Sequence, residues 1–232
     1  MKRILSLLLL VMSLNAQEVY ATFNVLADQS ANLAFDASGI VKKVNVGISS
    51  EVKQGDILAV LENDDKYAML ESVKTTLKFA KRDYERQVKI KKLIDESKFD
   101  AYELKYESAK NKLSYEQALY DKTFLRAPFD GVIFFKDIEV GDTVSGMMLK
   151  TVFKIQTLKK RKLVLEFDQK YHKSVKVGQT FKYSVDGDGT QYKGVISKIY
   201  PQANSDNRKI KAEVVAESFM VGLFGDGYII TK

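Results

Sequence analysis

The sequence predicts a mainly β protein that carries an inserted α-helical hairpin. Three observations lead there. Between Lys66 and Phe124 runs a stretch free of Gly and Pro and dense in Lys, Glu, Ala, Leu and Tyr. The segments flanking it, Phe35–Asn63 and Leu125–Thr157, read as two copies of one strand-rich unit. Beyond them, short alternating segments separated by glycine-containing turns continue to the C-terminus, the spacing of a small barrel.

The chain opens on an address. Lys2 and Arg3 precede the apolar run Ile4–Leu14, and Leu14-Asn15-Ala16 ends on a small residue suited to cleavage before Gln17. A run of about eleven residues is too short to span a bilayer, so residues 1–16 are expected to be a cleaved signal peptide. No Cys follows the cleavage point, which removes a lipidated mature terminus. The expectation is an exported, soluble mature chain, with Glu18–Leu26 as its first strand.

The first copy of the repeat is Gly39-Ile-Val-Lys-Lys-Val-Asn-Val-Gly47 followed by Val52-Lys-Gln-Gly55-Asp56-Ile57. The second is Gly131-Val-Ile-Phe-Phe-Lys-Asp-Ile-Glu-Val-Gly141 followed by Asp142-Thr-Val144-Ser-Gly146. Matched by residue type, Gly39 answers Gly131, Gly47 answers Gly141, Val52 answers Val144 and Gly55 answers Gly146. On that alignment the intervals after the middle glycine are five and eight residues in the first copy but three and five in the second. Glycines at such reversals are expected to supply positive φ; the candidates are Gly39, Gly47, Gly55, Gly131, Gly141 and, later, Gly178.

Between the copies, apolar residues recur at steps of three and four. They are Leu70, Val73, Leu77, Ala80 and Tyr84 on one arm, and Phe99, Tyr102, Tyr106, Ala109, Leu113 and Tyr120 on the other, with a lapse at Glu116. Two such seams joined by the polar break Asp95-Glu96-Ser97 predict an antiparallel coiled-coil hairpin with arms of about 40 Å. Its remaining positions are mostly charged or polar, so the hairpin should project. Downstream, Lys162–Asp168, Thr180–Val185, Tyr192–Ile199, Arg208–Val215 and Gly222–Ile230 read as strands. Between them lie turns such as Val177-Gly178-Gln179 and Asp186-Gly187-Asp188-Gly189.

The expected organisation is therefore a signal peptide at 1–16, an N-terminal strand region at 17–32 that joins the barrel, a β half at 33–63, the hairpin at 64–123, a second β half at 124–157 and a barrel at 158–232.

Composition narrows the function classes. With 45% apolar and 29% charged residues among 232, the chain is an ordered globular protein. Its net charge of +7 describes a solvated, Lys-rich surface, and the Tyr residues fall on the apolar seam rather than on a stacking platform, so nucleic acid is not expected as a partner. Zero Cys excludes disulfides, thiolate metal sites and Cys nucleophiles. A hydrolytic triad would need the lone His172, and no G-x-S-x-G is present. His172 and the Met147-Met148 pair are too few for a soft-metal site, and the methionines read as packing filler. Asp186-Gly187-Asp188-Gly189 lacks the remaining ligand spacing of a calcium loop and reads as a turn. Lys66 follows a strand much as a carrier lysine does, but it would sit at a helix start rather than on a tight exposed hairpin. No enzymatic activity, cofactor or metal is expected.

Several of these residues resemble a known family, the periplasmic adaptor subunits (membrane fusion proteins, HlyD/RND type) of Gram-negative tripartite efflux pumps. The resemblance runs from Leu33 to the C-terminus. It is carried by Leu125-Arg-Ala-Pro-Phe-Asp-Gly131-Val, by Gly39-Ile-Val with Val52-Lys-Gln-Gly55-Asp56, and by Val175-Lys-Val-Gly178-Gln179 with Tyr192-Lys-Gly-Val-Ile-Ser-Lys-Ile-Tyr-Pro201. It implies that the β halves form a lipoyl-like, barrel-sandwich hybrid domain from which the hairpin projects. It also implies partners: an inner-membrane efflux transporter, an outer-membrane channel, and further copies of the chain in a ring of three to six. The family's hairpin-tip pattern, an Arg, an apolar residue four places on and a Ser eleven places on, is met by Arg86, Ile90 and Ser97, with Ile where Leu is usual. The sequence departs from the family in ending soon after the barrel, leaving little room for the membrane-proximal domain that many members carry. Its hairpin is also short. The implied role is efflux of drugs or other toxic compounds; a lipoyl- or biotinyl-type carrier modified at Lys66 and a metal-binding adaptor of a cation exporter are the alternatives.

Overall fold

The computed structural model describes residues 17–231, so the expected signal peptide lies outside the described residues. In chain order the elements are β1 (Gln17–Ala27), β2 (Ser30–Leu33), β3 (Gly39–Val44), β4 (Glu51–Val52), β5 (Ile57–Leu61), α1 (Asp64–Lys89) and α2 (Glu96–Asp121). There follow β6 (Phe124–Arg126), β7 (Gly131–Lys136), β8 (Thr143–Val144), β9 (Phe153–Gln156), β10 (Lys160–Asp168), β11 (Thr180–Val185), β12 (Tyr192–Ala203), β13 (Lys209–Glu217) and β14 (Phe224–Thr231). They form two units, one of residues 30–156 and one joining the N-terminal strand to the chain from Thr157 onward.

The second of these is a closed six-stranded barrel in the order β1-β10-β13-β12-β11-β14. Strict alternation explains it. Val19, Ala21, Phe23 and Val25 of β1 are buried while Tyr20, Asn24 and Leu26 are exposed, the period of a strand with one wet face. Leu163, Leu165, Phe167, Phe181, Tyr183, Ile196, Val214 and Ile229 complete the interior. Closure removes every sheet edge from solvent.

The 30–156 unit holds two four-stranded sheets, β2-β9-β7-β4 and β6-β5-β3-β8, packed around Phe35, Val41, Leu58, Leu61, Ile133, Ile138, Phe153 and Ile155. Residues 30–32 were expected with the N-terminal strand in the barrel; instead Ser30–Leu33 pairs with β9, Leu33 opposite Phe153. Ala27, Asp28 and Gln29 end the alternation of β1, and Leu33 takes the place that Leu125 holds in the other half.

The internal repeat exists, but its register differs from the glycine-matched one. Gly39 and Gly131, Val41 and Ile133, Ser49 and Gly141, Ser50 and Asp142, and Val52 and Val144 all stand 92 positions apart. Over this span there is no compression. The turn hydrogen bonds repeat with the same offset: the Gly47 amide donates to Ser50 Oγ at 3.0 Å, and the Glu139 amide to Asp142 Oδ2 at 2.8 Å. Gly141 therefore answers Ser49, not Gly47, because both occupy the turn position with positive φ, +96° and +68°. The backbone conformation is repeated while the residue type is not.

The glycines consequently divide. Gly55, Gly141 and Gly178 adopt positive φ as expected, whereas Gly39, Gly47 and Gly131 do not. Gly131 is needed for another reason: a Cβ there would land on the Gln156 carbonyl oxygen of the neighbouring strand.

The hairpin interrupts this unit between β5 and β6. Each helix has 26 residues, about 39 Å at 1.5 Å per residue. At the base, buried Asn63 Nδ2 donates to Thr123 Oγ1 at 2.9 Å, tying the two strands of the insertion together. Asp64 and Asp65 open α1 and Arg86 and Lys89 close it, each complementing the helix dipole. Leu70, Val73, Ala80, Phe99 and Ala109 are buried along the seam. Tyr84 stacks on Tyr106 at 5.2 Å between centroids. Two seam assignments change. Tyr102 is exposed, and Glu116 is not a lapse but a buried seam residue, 8% exposed, whose carboxylate meets Lys112 Nζ at 2.6 Å along the same helix.

Candidate functional site

The free end of the hairpin is the candidate site. Helix α1 runs out at Lys89, Ile90 caps it with its amide bonded to the Gln87 and Val88 carbonyls, and Lys91–Leu93 form a single 3-10 turn. Asp95 then starts α2 by accepting the Ser97 amide at 2.9 Å, and the Ser97 hydroxyl also donates to the same carboxylate oxygen. Those bonds, the Ser97 hydroxyl first and then the Ser97 and Lys98 amides, hold the Asp95 carboxyl below the ordinary aspartate range. The cap is a consequence of the local sequence Asp-Glu-Ser, a short acceptor placed just ahead of two unsatisfied helix amides.

Arg86 lies in the last turn of α1, exposed, with its guanidinium 3.5 Å from Asp83 one turn back. Ile90 is at the helix end and exposed. Ser97 is in the first turn of α2 and exposed, its hydroxyl occupied by Asp95. All three sequence-selected residues thus lie in the last turn of one helix, the connection, or the first turn of the next; none bonds to another.

Sequence reading missed two further groups. Leu93 is 84% exposed on the 3-10 turn, and Lys91 Nζ sits 4.1 Å above the Phe99 ring. Leu93 was not among the residues the sequence singled out, because periodicity does not report where a helix unwinds. Between Arg86 and Lys98 the tip carries five basic residues against two acidic ones, Asp95 and Glu96, so it presents apolar side chains among an excess of positive charge.

The rival sites resolve individually. Lys66 is the third residue of α1 and ion-pairs with Asp65 at 3.5 Å; no exposed hairpin turn carries it. His172 ends a short 3-10 turn after β10, exposed, with Nδ1 3.1 Å from the Gln169 carbonyl. Asp188 accepts from the Thr190 amide at 2.9 Å and the Tyr192 hydroxyl at 2.7 Å, which makes Asp186–Gly189 a stabilised turn. Among the described residues no three His, Asp or Glu side chains gather as a metal site would require.

The methionine pair is a correction. Met147 and Met148 are 94% and 78% exposed, not packing filler. The link from Val144 to Phe153 is longer than its counterpart from Val52 to Ile57. In the shorter one Arg126 donates to the Gly55 carbonyl at 2.9 Å and holds the loop down. The position equivalent to Arg126 is Ala34; the longer loop is held instead by the Gly146 amide, which donates to Ser38 Oγ at 3.0 Å, and by Lys150, 2.8 Å from Asp137, and the methionines between these points face solvent.

Residues 29–156, more than half of the 232, match the family of CzcB-like barrel-sandwich hybrid domains. The chain belongs to this family. It is 24% identical over 204 residues to the cobalt-zinc-cadmium resistance protein CzcB of Cupriavidus metallidurans, covering 81% of this chain and 39% of that protein. The chain thus spans about two fifths of the length of that curated relative. Among solved structures, a MacA-MexA chimera bearing the Pseudomonas aeruginosa MexA α-hairpin superposes with a TM-score of 0.83 at 20% identity, covering 94% of this chain and 82% of that one. A membrane fusion protein of Streptococcus pneumoniae gives 0.74 at 14% identity, covering 92% and 99%. These likenesses establish the fold of this CzcB-like chain: a split barrel-sandwich hybrid, an inserted helical hairpin and a six-stranded barrel.

Proposed function

We propose that this protein is a non-enzymatic adaptor of a cell-envelope efflux system, located in the periplasm and peripheral to the inner membrane. Its barrel-sandwich and barrel modules associate with other copies of the chain and with an inner-membrane transporter, of RND type. Its hairpin tip meets an outer-membrane exit channel through Arg86, Ile90 and Ser97. The observation that carries the reading is the hairpin itself. Two helices of 26 residues leave one small β unit, pack on each other along a single seam, and end in exposed Ile90 and Leu93 among lysines. A seam so narrow stabilises reach rather than a core, and a tip so apolar in water calls for a partner.

The cargo is proposed to be divalent transition-metal cations rather than drugs, because the curated relative is named for cobalt, zinc and cadmium resistance. The adaptor acts mechanically, coupling transporter to duct with no bond made or broken on its own residues. No described helix is long and apolar enough to cross a membrane.

The test is complementation. A strain lacking the gene should become sensitive to zinc, cobalt or cadmium, and the wild-type gene should restore growth. Arg86→Glu combined with Ser97→Arg should express stably yet fail to restore it, and should lose cross-linking between tip and channel. Full rescue by the double variant removes the tip assignment; sensitivity to bile salts but not to metals removes the cargo.

A further inference from the structure

The root of the hairpin carries a groove of about 420 Å³, within the usual span of small-molecule sites of about 300–1,000 Å³. Its walls are Lys42, Lys43, Val60, Asn63, Tyr120 and Phe124. The sheet explains why these side chains meet. Lys43 stands opposite Val60 and Val60 opposite Phe124, so the three share one face of β3, β5 and β6. An irregularity between Val41 and Lys43 buries Val41 yet leaves Lys42 and Lys43 both exposed, where strict alternation would hide one of them. Helix α2 closes one side: the Tyr120 ring meets Phe124 edge to face at 5.0 Å and Tyr67 at 5.8 Å.

The lining holds two ammonium groups and no carboxylate. Lys42 is already engaged: Asp64 accepts from it at 2.8 and 3.0 Å, and that bond, with Glu62 nearby, holds its ammonium above the ordinary lysine range. Further out, Lys122 pairs with Asp36 at 2.8 Å, and Arg126 donates to the Gly55 carbonyl and lies 5.5 Å over the Phe124 ring. Lys43 makes no ion pair among the described residues. Asn63 adds an acceptor. It is 7% exposed and precedes α1, yet its side chain does not cap the helix. Thr123 Oγ1 gives its one proton to the Tyr120 carbonyl at 2.6 Å, so it can only accept from Asn63 Nδ2. That fixes the orientation of the amide and leaves Asn63 Oδ1 with no donor among the described residues.

We propose that this groove binds an amphipathic carboxylate, a small organic anion with an apolar chain. The head group pairs with Lys43, and the chain lies over Val60, Phe124 and Tyr120. Lys43 is the uncommitted charge of the lining and it is positive, so the guest that fits is an anion rather than a cation or a bare hydrocarbon. Asn63 Oδ1 takes a hydroxyl where the chain carries one. An occupied groove bridges the last turn of α2 to the sheet and so braces the hairpin where it leaves the β unit. The inference goes beyond the adaptor reading and does not depend on it, because binding is a property of the single chain.

Amide NMR shifts of the full chain, expressed for export and titrated with decanoate below its micelle concentration, test it. Saturable shifts should cluster at Lys43, Val60, Asn63 and Phe124, the Asn63 side-chain amide included. Decanol, the same chain without the charge, should bind about tenfold more weakly. Lys43→Leu should bring decanoate down to the level of decanol, and Lys43→Glu should weaken it further. Lys193→Glu, in the barrel unit, should leave it unchanged. Lys43 is exposed and breaks no ion pair when replaced, so both of its variants should keep the wild-type circular dichroism spectrum. Equal affinity for decanoate and decanol, shifts that spread or fail to saturate, or decanoate binding untouched by Lys43→Glu would each overturn the proposal. So would shifts at the same residues that follow protein concentration with no anion present, which give the groove to a second copy. Metal resistance in cells separates this from the adaptor reading: a chain that binds decanoate as described but confers no resistance refutes only the latter.

Discussion

Val52 faces Gly131 across the β4–β7 ladder, and 92 positions further along, Val144 faces Gly39 across β3–β8. Each half of the barrel-sandwich unit thus lends its shortest strand to a sheet of the other half. Neither half could close alone, since a two-residue strand has no stability without the long strand that receives it. The unit therefore tolerates a long insertion between its halves: the two copies are locked by exchange, and Asn63 with Thr123 clamps the point where the hairpin leaves.

That exchange predicts unequal glycines. Gly131→Val should cost about 1–3 kcal/mol, because its Cβ collides with the Gln156 backbone, which cannot move without breaking β7–β9. Gly39→Ala should cost well under half as much, since a Cβ there meets Leu61 at an ordinary 3.5 Å. Thermal melts of the two variants check the ranking; equal costs would remove the steric account.

The repeated turn makes a second comparison. Ser49 holds φ +68° at the place where the other half uses Gly141. Ser49→Gly should be neutral or stabilising within about 1 kcal/mol, whereas Gly141→Val should destabilise by about 1–3 kcal/mol. Urea midpoints decide it, and a harmful Ser49→Gly would point to a contact of the serine side chain instead.

Arg161 is a buried cation of the barrel unit, 7% exposed, with no carboxylate partner among the described residues. It donates to the carbonyls of Phe219 at 2.7 Å, Thr157 at 2.6 Å and Lys160 at 3.1 Å. Burial alone lowers its pKa. Arg161→Ala should lose about 2–3 kcal/mol as these carbonyls are orphaned, and Arg161→Lys should recover only part, because an ammonium cannot span the Phe219 and Thr157 oxygens with a planar fork. Full rescue by lysine would show that charge rather than geometry matters.

At the hairpin tip, capping and docking can be separated. The folded Asp95 carboxyl titrates below its unfolded range, so its contribution is complete above the unfolded value of about 3.9 and is lost as pH falls through the lower folded value. Ser97→Ala should raise the Asp95 midpoint seen by carboxyl NMR and loosen the first turn of α2. Arg86→Glu should leave that midpoint in place while impairing coupling to the channel. An Asp95 midpoint unmoved by Ser97→Ala would dismiss the cap.

What the sequence determined by itself was whatever a period can carry. Alternation gave the strands of β1 and β10, steps of three and four gave the seam from Leu70 to Ala109, and a stretch without Gly or Pro marked the hairpin. These are local properties, since each follows from which side chains a helix or strand must turn inward. Tertiary structure decided the rest. Gly141 answers Ser49 because a turn repeats its φ, not its residue; Glu116 is buried on the seam with Lys112 as its ion partner; Met147 and Met148 are exposed in a loop longer than its counterpart in the other half. Nor could periodicity show that Leu93 lies beyond α1 on a separate 3-10 turn, since that depends on how the chain reverses between the two helices. Those outcomes depend on residues far apart in the chain, and only closure of the fold brings them within bonding distance.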